Sequence, residues 1–161
     1  MKIILLSLVT LFLLSNKEIE NVRLSFHKAS FNEEDAISFN KLVHQNLTIE
    51  KNLLSAYIGA SEVLLAKYGA SPAEKLKLFK EGKAKIEEAI TTDSKNIEIR
   101  LIRLIIQNKA PSFLRYSSDI DQDKNLIIDQ FQSAPADVKS FIQKIAHDTD
   151  VFTEEERTKI K

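Results

Sequence analysis

The sequence predicts an all-α fold of about seven helices stacked as antiparallel hairpins, and three observations carry that prediction. Three glycines and three prolines in 161 residues leave too little turn material for a many-stranded sheet. Leu, Ile, Lys, Glu and Ala, residues that sit comfortably in helices, are abundant. Apolar side chains also recur at helical spacing through most of the chain beyond Lys17. A chain of this length can bury a core without staples. It must do so by packing alone, because it has no cysteine and therefore no disulfide, thiolate nucleophile, cysteine zinc site or lipobox.

The first residues, MKIILLSLVTLFLLSNKEIE, set one lysine before an apolar run from Ile3 to Leu14 and polar residues after it. A helix over that run rises only about 18 Å, short of the roughly 30 Å hydrocarbon layer. An export signal over residues 1–15 is therefore expected, with 16–161 as one helical domain in a secreted or periplasmic setting. No small-x-small pair stands near Ser15, so an uncleaved membrane anchor is the alternative.

The elements follow in order. From about 17 to 29, Ile19, Val22, Phe26 and Ala29 share a stripe, with Arg23 and His27 on the other side. A second helix, about 33 to 45, starts from Asn32 as cap with Glu33, Glu34 and Asp35 in its dipole-favoured first turn. A third, about 49 to 68, ends at Gly69, and its small residues Gly59, Ala60 and Ser61 admit a close neighbour. The fourth has the strongest start signal: Ser71 as cap, Pro72 at the first helical position and Glu74 closing a capping box. The fifth, about 95 to 109, starts at Ser94 and is apolar around most of its circumference, which predicts a helix packed between others. Pro111 ends it. A sixth begins at Ser118 and a seventh spans about 135 to 147, with Val138, Phe141, Ile142 and Ile145 as its stripe. The tail TEEERTKIK has a capping-box start at Thr153 and Glu156 but almost no apolar face, so fraying is expected there.

Within the fourth helix and its exit, Gly82, Ile86, Ala89 and Ser94 in EGKAKIEEAITTDSKN are spaced 4, 3 and 5 apart. This resembles the second helix and exit turn of a tetratricopeptide repeat, with Ile86 where an aromatic is usual and Ser94 where proline is usual. The resemblance covers one helix and a turn, and it implies antiparallel helix pairs stacked as in an α-solenoid. The stretch from Tyr57 to Tyr116 also resembles uncharacterised exported bacterial proteins, which implies nothing about chemistry.

Charge narrows the partners. Lys plus Arg and Asp plus Glu stand at 23 each, so no global field favours nucleic acid or an anionic surface. The five lysines from Lys75 to Lys85 are spread around their helix, mixed with acids, and read as solvated charge. No nucleic-acid partner is expected.

Chemistry is sparse. His27, His44 and His147 fall on separate helices, and no H-E-x-x-H or glycine-rich phosphate loop exists, so no catalytic residue and no cofactor is expected. HDTD at 147–150 offers an imidazole and two carboxylates, but a polar turn after a helix has the same composition. Asn46-Leu47-Thr48 matches a glycosylation sequon, which has meaning only in a eukaryotic secretory pathway. In SDIDQDKNLIIDQF, Asp119, Asp121, Asp123 and Asn125 fit the first ligands of a calcium loop. Lys124 then stands where glycine is needed and Gln130 where a bidentate glutamate is needed. A helix capped by Ser118, with Asp121 in the capping-box slot, is the stronger reading. It puts Asp119 and Asp123 on one face, Asp121 on another, and Ile120, Ile127 and Phe131 toward the core.

One strip remains. Arg100, Arg103 and Gln107, at i, i+3 and i+7, are the polar line on the fifth helix and the candidate binding residues, suited to an acidic or C-terminal peptide if that helix lines a groove. The competing expectation pairs them with Glu87, Glu88 or Glu98 along a solvated seam. The function expected overall is a non-catalytic module binding a protein or peptide. A small-ligand or metal-binding exported protein comes second, and a hydrolase stands behind both because no nucleophile and base pair up.

Overall fold

A computed structural model describes residues 16–161 in full and residues 2–15 only as part of the first helix. The expected export signal over residues 1–15 lies outside the fully described residues. The described residues form eight α-helices: α1 (Lys2–Ala29), α2 (Glu33–Val43), α3 (Lys51–Ala66), α4 (Pro72–Thr92), α5 (Ile97–Lys109), α6 (Ile120–Gln130), α7 (Ala136–Asp148) and α8 (Glu154–Thr158). Two single 3-10 turns, Ser112–Leu114 and Phe131–Ser133, complete the set, and no strand occurs among the described residues. The fold is all-α. Among the described residues no helix is long and apolar enough to cross a membrane. The chain divides into two compact units, residues 1–85 and 86–161, with the boundary inside α4.

In the first unit α1, α2 and α3 pack on one another in sequence order. Their shared core is aromatic: Phe26, Phe39 and Tyr57 are at most 2% exposed, and their ring centroids stand 5.6 to 6.3 Å apart in tilted and edge-on geometry. Truncating one of these rings would cost on the order of 3–5 kcal/mol. Asn32 caps α2 by accepting from the Asp35 backbone N–H at 2.9 Å, as its side-chain type predicts. Ser71 accepts from the Glu74 N–H at 3.2 Å at the start of α4, and the Glu74 carboxylate reaches back one residue further than a capping box requires, to the Ala70 N–H at 2.7 Å.

The small residues of α3 serve as expected. Gly59, Ala60 and Ser61 are buried, and the Gly82 backbone of α4 lies directly on the Gly59 carbonyl. Two local expectations need correction. Arg23, placed on the solvated side of α1, is only 6% exposed. The third helix stops at Ala66, before Gly69, with Lys67 as its C-cap.

The second unit is built around α5, which packs on α6 and α7 and is buried from Ile97 to Gln107. Its cap is Asn96 and not Ser94: the Asn96 side-chain oxygen accepts from the N–H groups of Glu98 and Ile99 at 3.1 and 3.2 Å. Val138, Phe141, Ile142 and Ile145 form the buried stripe of α7; Ile127 of α6 and Phe131 just after it are buried, while Ile120 is half-buried. The tail is held where fraying was expected. Thr153 and Glu156 make a complete capping box, and Val151, Phe152 and Ile160 are 1 to 4% exposed. Those three apolar residues flank α8 and anchor it, so the helix needs no apolar face of its own.

Candidate functional site

The site grows from the polar strip of α5. On a helix buried all round, Arg100, Arg103 and Gln107 cannot reach water, and they are 6%, 3% and 1% exposed. Two buried guanidiniums need a carboxylate among them, because an unpaired buried charge costs several kcal/mol (about 3–5 when one partner is removed). Asp123 of α6 supplies it and is fully buried. Arg103 donates side-on through Nε to Asp123 Oδ2 at 2.7 Å and through Nη2 to Oδ1 at 2.7 Å. Arg100 Nη1 donates to the same Oδ1 at 2.8 Å, while its Nε donates to the Ser94 carbonyl at 2.9 Å. Paired N–H donors on one carboxylate are the strong, orientation-fixing form of this contact.

A second tier surrounds that core. Arg103 Nη1 donates to Glu87 Oε2 of α4 at 3.0 Å and lies 3.6 Å from Asp119 Oδ1. Gln107 Nε2 donates to Asp119 Oδ2 at 3.0 Å, and the Gln107 Oε1 accepts the Asp119 N–H at 3.3 Å. The Tyr116 hydroxyl donates to Glu87 Oε1 at 2.5 Å. Arg115, just before it, adopts a left-handed conformation at φ 47, the turn that swings Tyr116 inward.

These surroundings perturb the ionisable groups. Burial works against the Arg103 charge, but Asp123, Glu87 and Asp119 outweigh it and raise its pKa above the ordinary value. Burial and the hydrogen bond to Glu87 push the Tyr116 hydroxyl well above the usual tyrosine range. For Asp119, burial is opposed and outweighed by hydrogen bonds from Gln107 and Ser118 and by the charges of Arg103 and Arg100, so its carboxyl lies below the usual range. The residues that titrate abnormally thus move away from neutrality, and none of them is poised to exchange a proton near pH 7.

No family model, curated protein or solved structure matches the chain.

Arg100, Arg103 and Gln107 are thus brought together, facing acids of their own chain and not an open groove. Of the acids expected beside them Glu87 is a partner of Arg103, while Asp123 and Asp119 are the main partners, and the seam is buried at Asp123 and partly open only at Glu87 and Asp119. The Asp-rich stretch is a helix, as its periodicity predicts. Asp119 and Asp123 face α5 and Asp121 is exposed. The expected cap is displaced, however. Asp119 and not Ser118 is the N-cap residue of α6, and its carboxylate makes no capping bond because Gln107, Ser118 and Arg103 claim it. The Ser118 hydroxyl donates to Asp119 Oδ2 at 2.7 Å.

The remaining candidates are scattered. His147 Nδ1 lies 2.7 Å from Asp148 Oδ1, which also belongs to the carboxylate that Lys144 approaches at 2.9 Å. Asp150 accepts from Asn108 at 3.4 Å. Among the described residues no three His, Asp or Glu side chains stand together as a metal-ligand set. At the other end of α5 a cavity of about 300 Å³ is lined by Ile97, Glu98, Gln130, Pro135 and Val138 among others.

Proposed function

We propose that this protein is an exported, non-catalytic helical module that binds a protein or peptide partner, its helix pairs stacked in the manner of tetratricopeptide hairpins. One observation carries the binding reading. Of the five large apolar side chains exposed among the described residues, three belong to the α1–α2 hairpin: Leu24 at 45%, Phe31 at 63% and Ile37 at 39%. That share of the exposed apolar residues makes the hairpin the surface best suited to a partner. The Arg100–Arg103–Asp123 cluster does not supply that surface. Its donors are occupied from within the chain, which suits a structural bolt better than a grip on an anionic ligand. Export rests on the apolar run from Ile3 to Leu14.

The test is site-specific photo-crosslinking in the exporting cell from positions 24, 31 and 37, with position 76 on α4 as control, since Leu76 is also exposed at 43%. A discrete adduct from the hairpin positions that is absent from position 76 supports the reading. Equal, diffuse labelling from all four positions refutes it.

A second reading, small-ligand binding, has one observation in its favour. The cavity of about 300 Å³ beside Glu98 is at the small end of ligand-binding volumes. A ligand there would raise the melting temperature in proportion to the logarithm of its concentration, and a Val138→Phe change that fills the cavity would abolish the rise.

A further inference from the structure

The exposed face of α1 carries a pattern that its buried face does not need. Lys17, Glu20, Asn21, Leu24 and Lys28 are all exposed. At about 100° per residue they fall within an arc of roughly 100°, opposite the buried Val22, Phe26 and Ala29. Phe31, in the turn just after α1, is exposed beside it, with its ring edge-on to His27 at a centroid distance of 5.5 Å. An open trough of about 580 Å³ runs beside Lys17, Glu20, Asn21 and Leu24. An apolar centre at Leu24, flanked by an acid on one side and a base on the other, is unlike a solvated helix face, where the charges have no need of symmetry.

That symmetry identifies the occupant. Glu20 and Lys28 lie four residues before and four after Leu24 on α1. If a second α1 is laid antiparallel about a two-fold axis at Leu24, each Glu20 comes level with Lys28 of the second copy. Leu24 meets Leu24 on the axis. A parallel pair would set Glu20 against Glu20 and Lys28 against Lys28, so the same residues disfavour that arrangement. We infer that the α1 face from Lys17 to Lys28 is a self-recognition surface, on which a second copy of this chain docks antiparallel about Leu24. The seam is about 17 Å long, which suits a reversible dimer better than an obligate one. This deepens the binding-module reading and rests on it for the surface and for export. Two chains paired in this way send residue 16 in opposite directions, so the pair belongs to released chains and not to two chains anchored side by side in one bilayer.

The test uses the full chain produced through an exporting host, with the intact mass of the product showing separately whether the N-terminus was cut. Sedimentation equilibrium from about 5 to about 500 µM should show a monomer–dimer equilibrium. Glu20→Lys should weaken it at least about tenfold, because two attractive pairs become repulsive. Lys28→Glu should do the same, and the double exchange Glu20→Lys with Lys28→Glu should restore the native affinity. Both positions are exposed, so folding is expected to survive, and far-UV circular dichroism checks it. Since the chain has no cysteine, Glu20→Cys and Lys28→Cys chains mixed under oxidising conditions should give chiefly the mixed disulfide. A chain monomeric throughout the range overturns the inference, and so does a double exchange no tighter than the single ones. Hairpin crosslinks only to a foreign protein would also overturn self-pairing while leaving the binding-module reading standing.

Discussion

Asp123→Ala should be among the most destabilising substitutions in the second unit, and the geometry says by how much. Asp123 is fully buried and accepts three N–H groups at 2.7 to 2.8 Å, two from Arg103 and one from Arg100. Without it, Arg103 keeps Glu87 and a longer approach to Asp119, but Arg100 keeps only the Ser94 carbonyl. Breaking a buried ion pair by removing one partner costs about 3–5 kcal/mol, because the surviving charge stays desolvated. For a chain of this size that corresponds to a fall in melting temperature of roughly 10 °C. The chain has no tryptophan, so urea unfolding can be followed by tyrosine fluorescence together with circular dichroism. The decisive comparison is the triple variant Arg100→Met, Arg103→Met, Asp123→Leu. Removing the whole charge set should recover stability to within about 1–2 kcal/mol of the native chain. Glu87 and Asp119, whose side chains are 34% and 30% exposed, can still be hydrated there. If Asp123→Ala unfolds within about 1 kcal/mol of the native chain, the cluster does not lock α5 to α6 and the reasoning fails.

Three further outcomes can be measured on the same material. Gly82→Ala should destabilise the first unit by about 1–3 kcal/mol, because the added Cβ would press on the Gly59 carbonyl and stand 2.9 Å from the Val63 backbone nitrogen, neither of which yields easily; chemical denaturation reads it. Tyr116 should remain un-ionised in the folded chain well past pH 10, because burial and Glu87 hold its proton. Its folded pKa is raised, so the associated stability is complete below the ordinary tyrosine pKa and is lost as pH rises through the folded value. A Tyr116→Phe variant should therefore leave the native absorbance titration unchanged up to about pH 11 and make the late, unfolding-linked step smaller by one tyrosine. At the acid end, Asp119 and Glu156 have depressed folded pKa values, so their contribution is present above the ordinary carboxyl pKa and is lost as pH falls through the folded values. Asp119→Asn should thus lose less stability than the native chain between about pH 5 and about pH 2, and an unchanged acid limb would refute the assignment.

The features legible in the sequence are those set by a few consecutive residues. Asn32, Ser71 with Pro72, and Thr153 with Glu156 act within one helical turn, and each caps where its type and spacing predict. The amphipathic stripes of α2 and α7 were equally readable, because periodicity needs no knowledge of what lies opposite. The candidate site was half legible. Arg100, Arg103 and Gln107 are legible as a polar strip, and α5 is legible as a helix packed on all sides. A polar strip on a helix that is buried all round is itself buried, and buried guanidiniums require an acid with matching geometry. That acid lies on α6, at Asp123, with Asp119 one turn before it. The same i, i+4 spacing that told against a calcium loop, by putting two of three carboxylates on one face, also qualified that face to receive the arginines. The alternation of Asp119, Asp121 and Asp123 that looks like metal chemistry is thus two buried-facing acids separated by a solvated one, and the ions they answer to are carried by the chain itself.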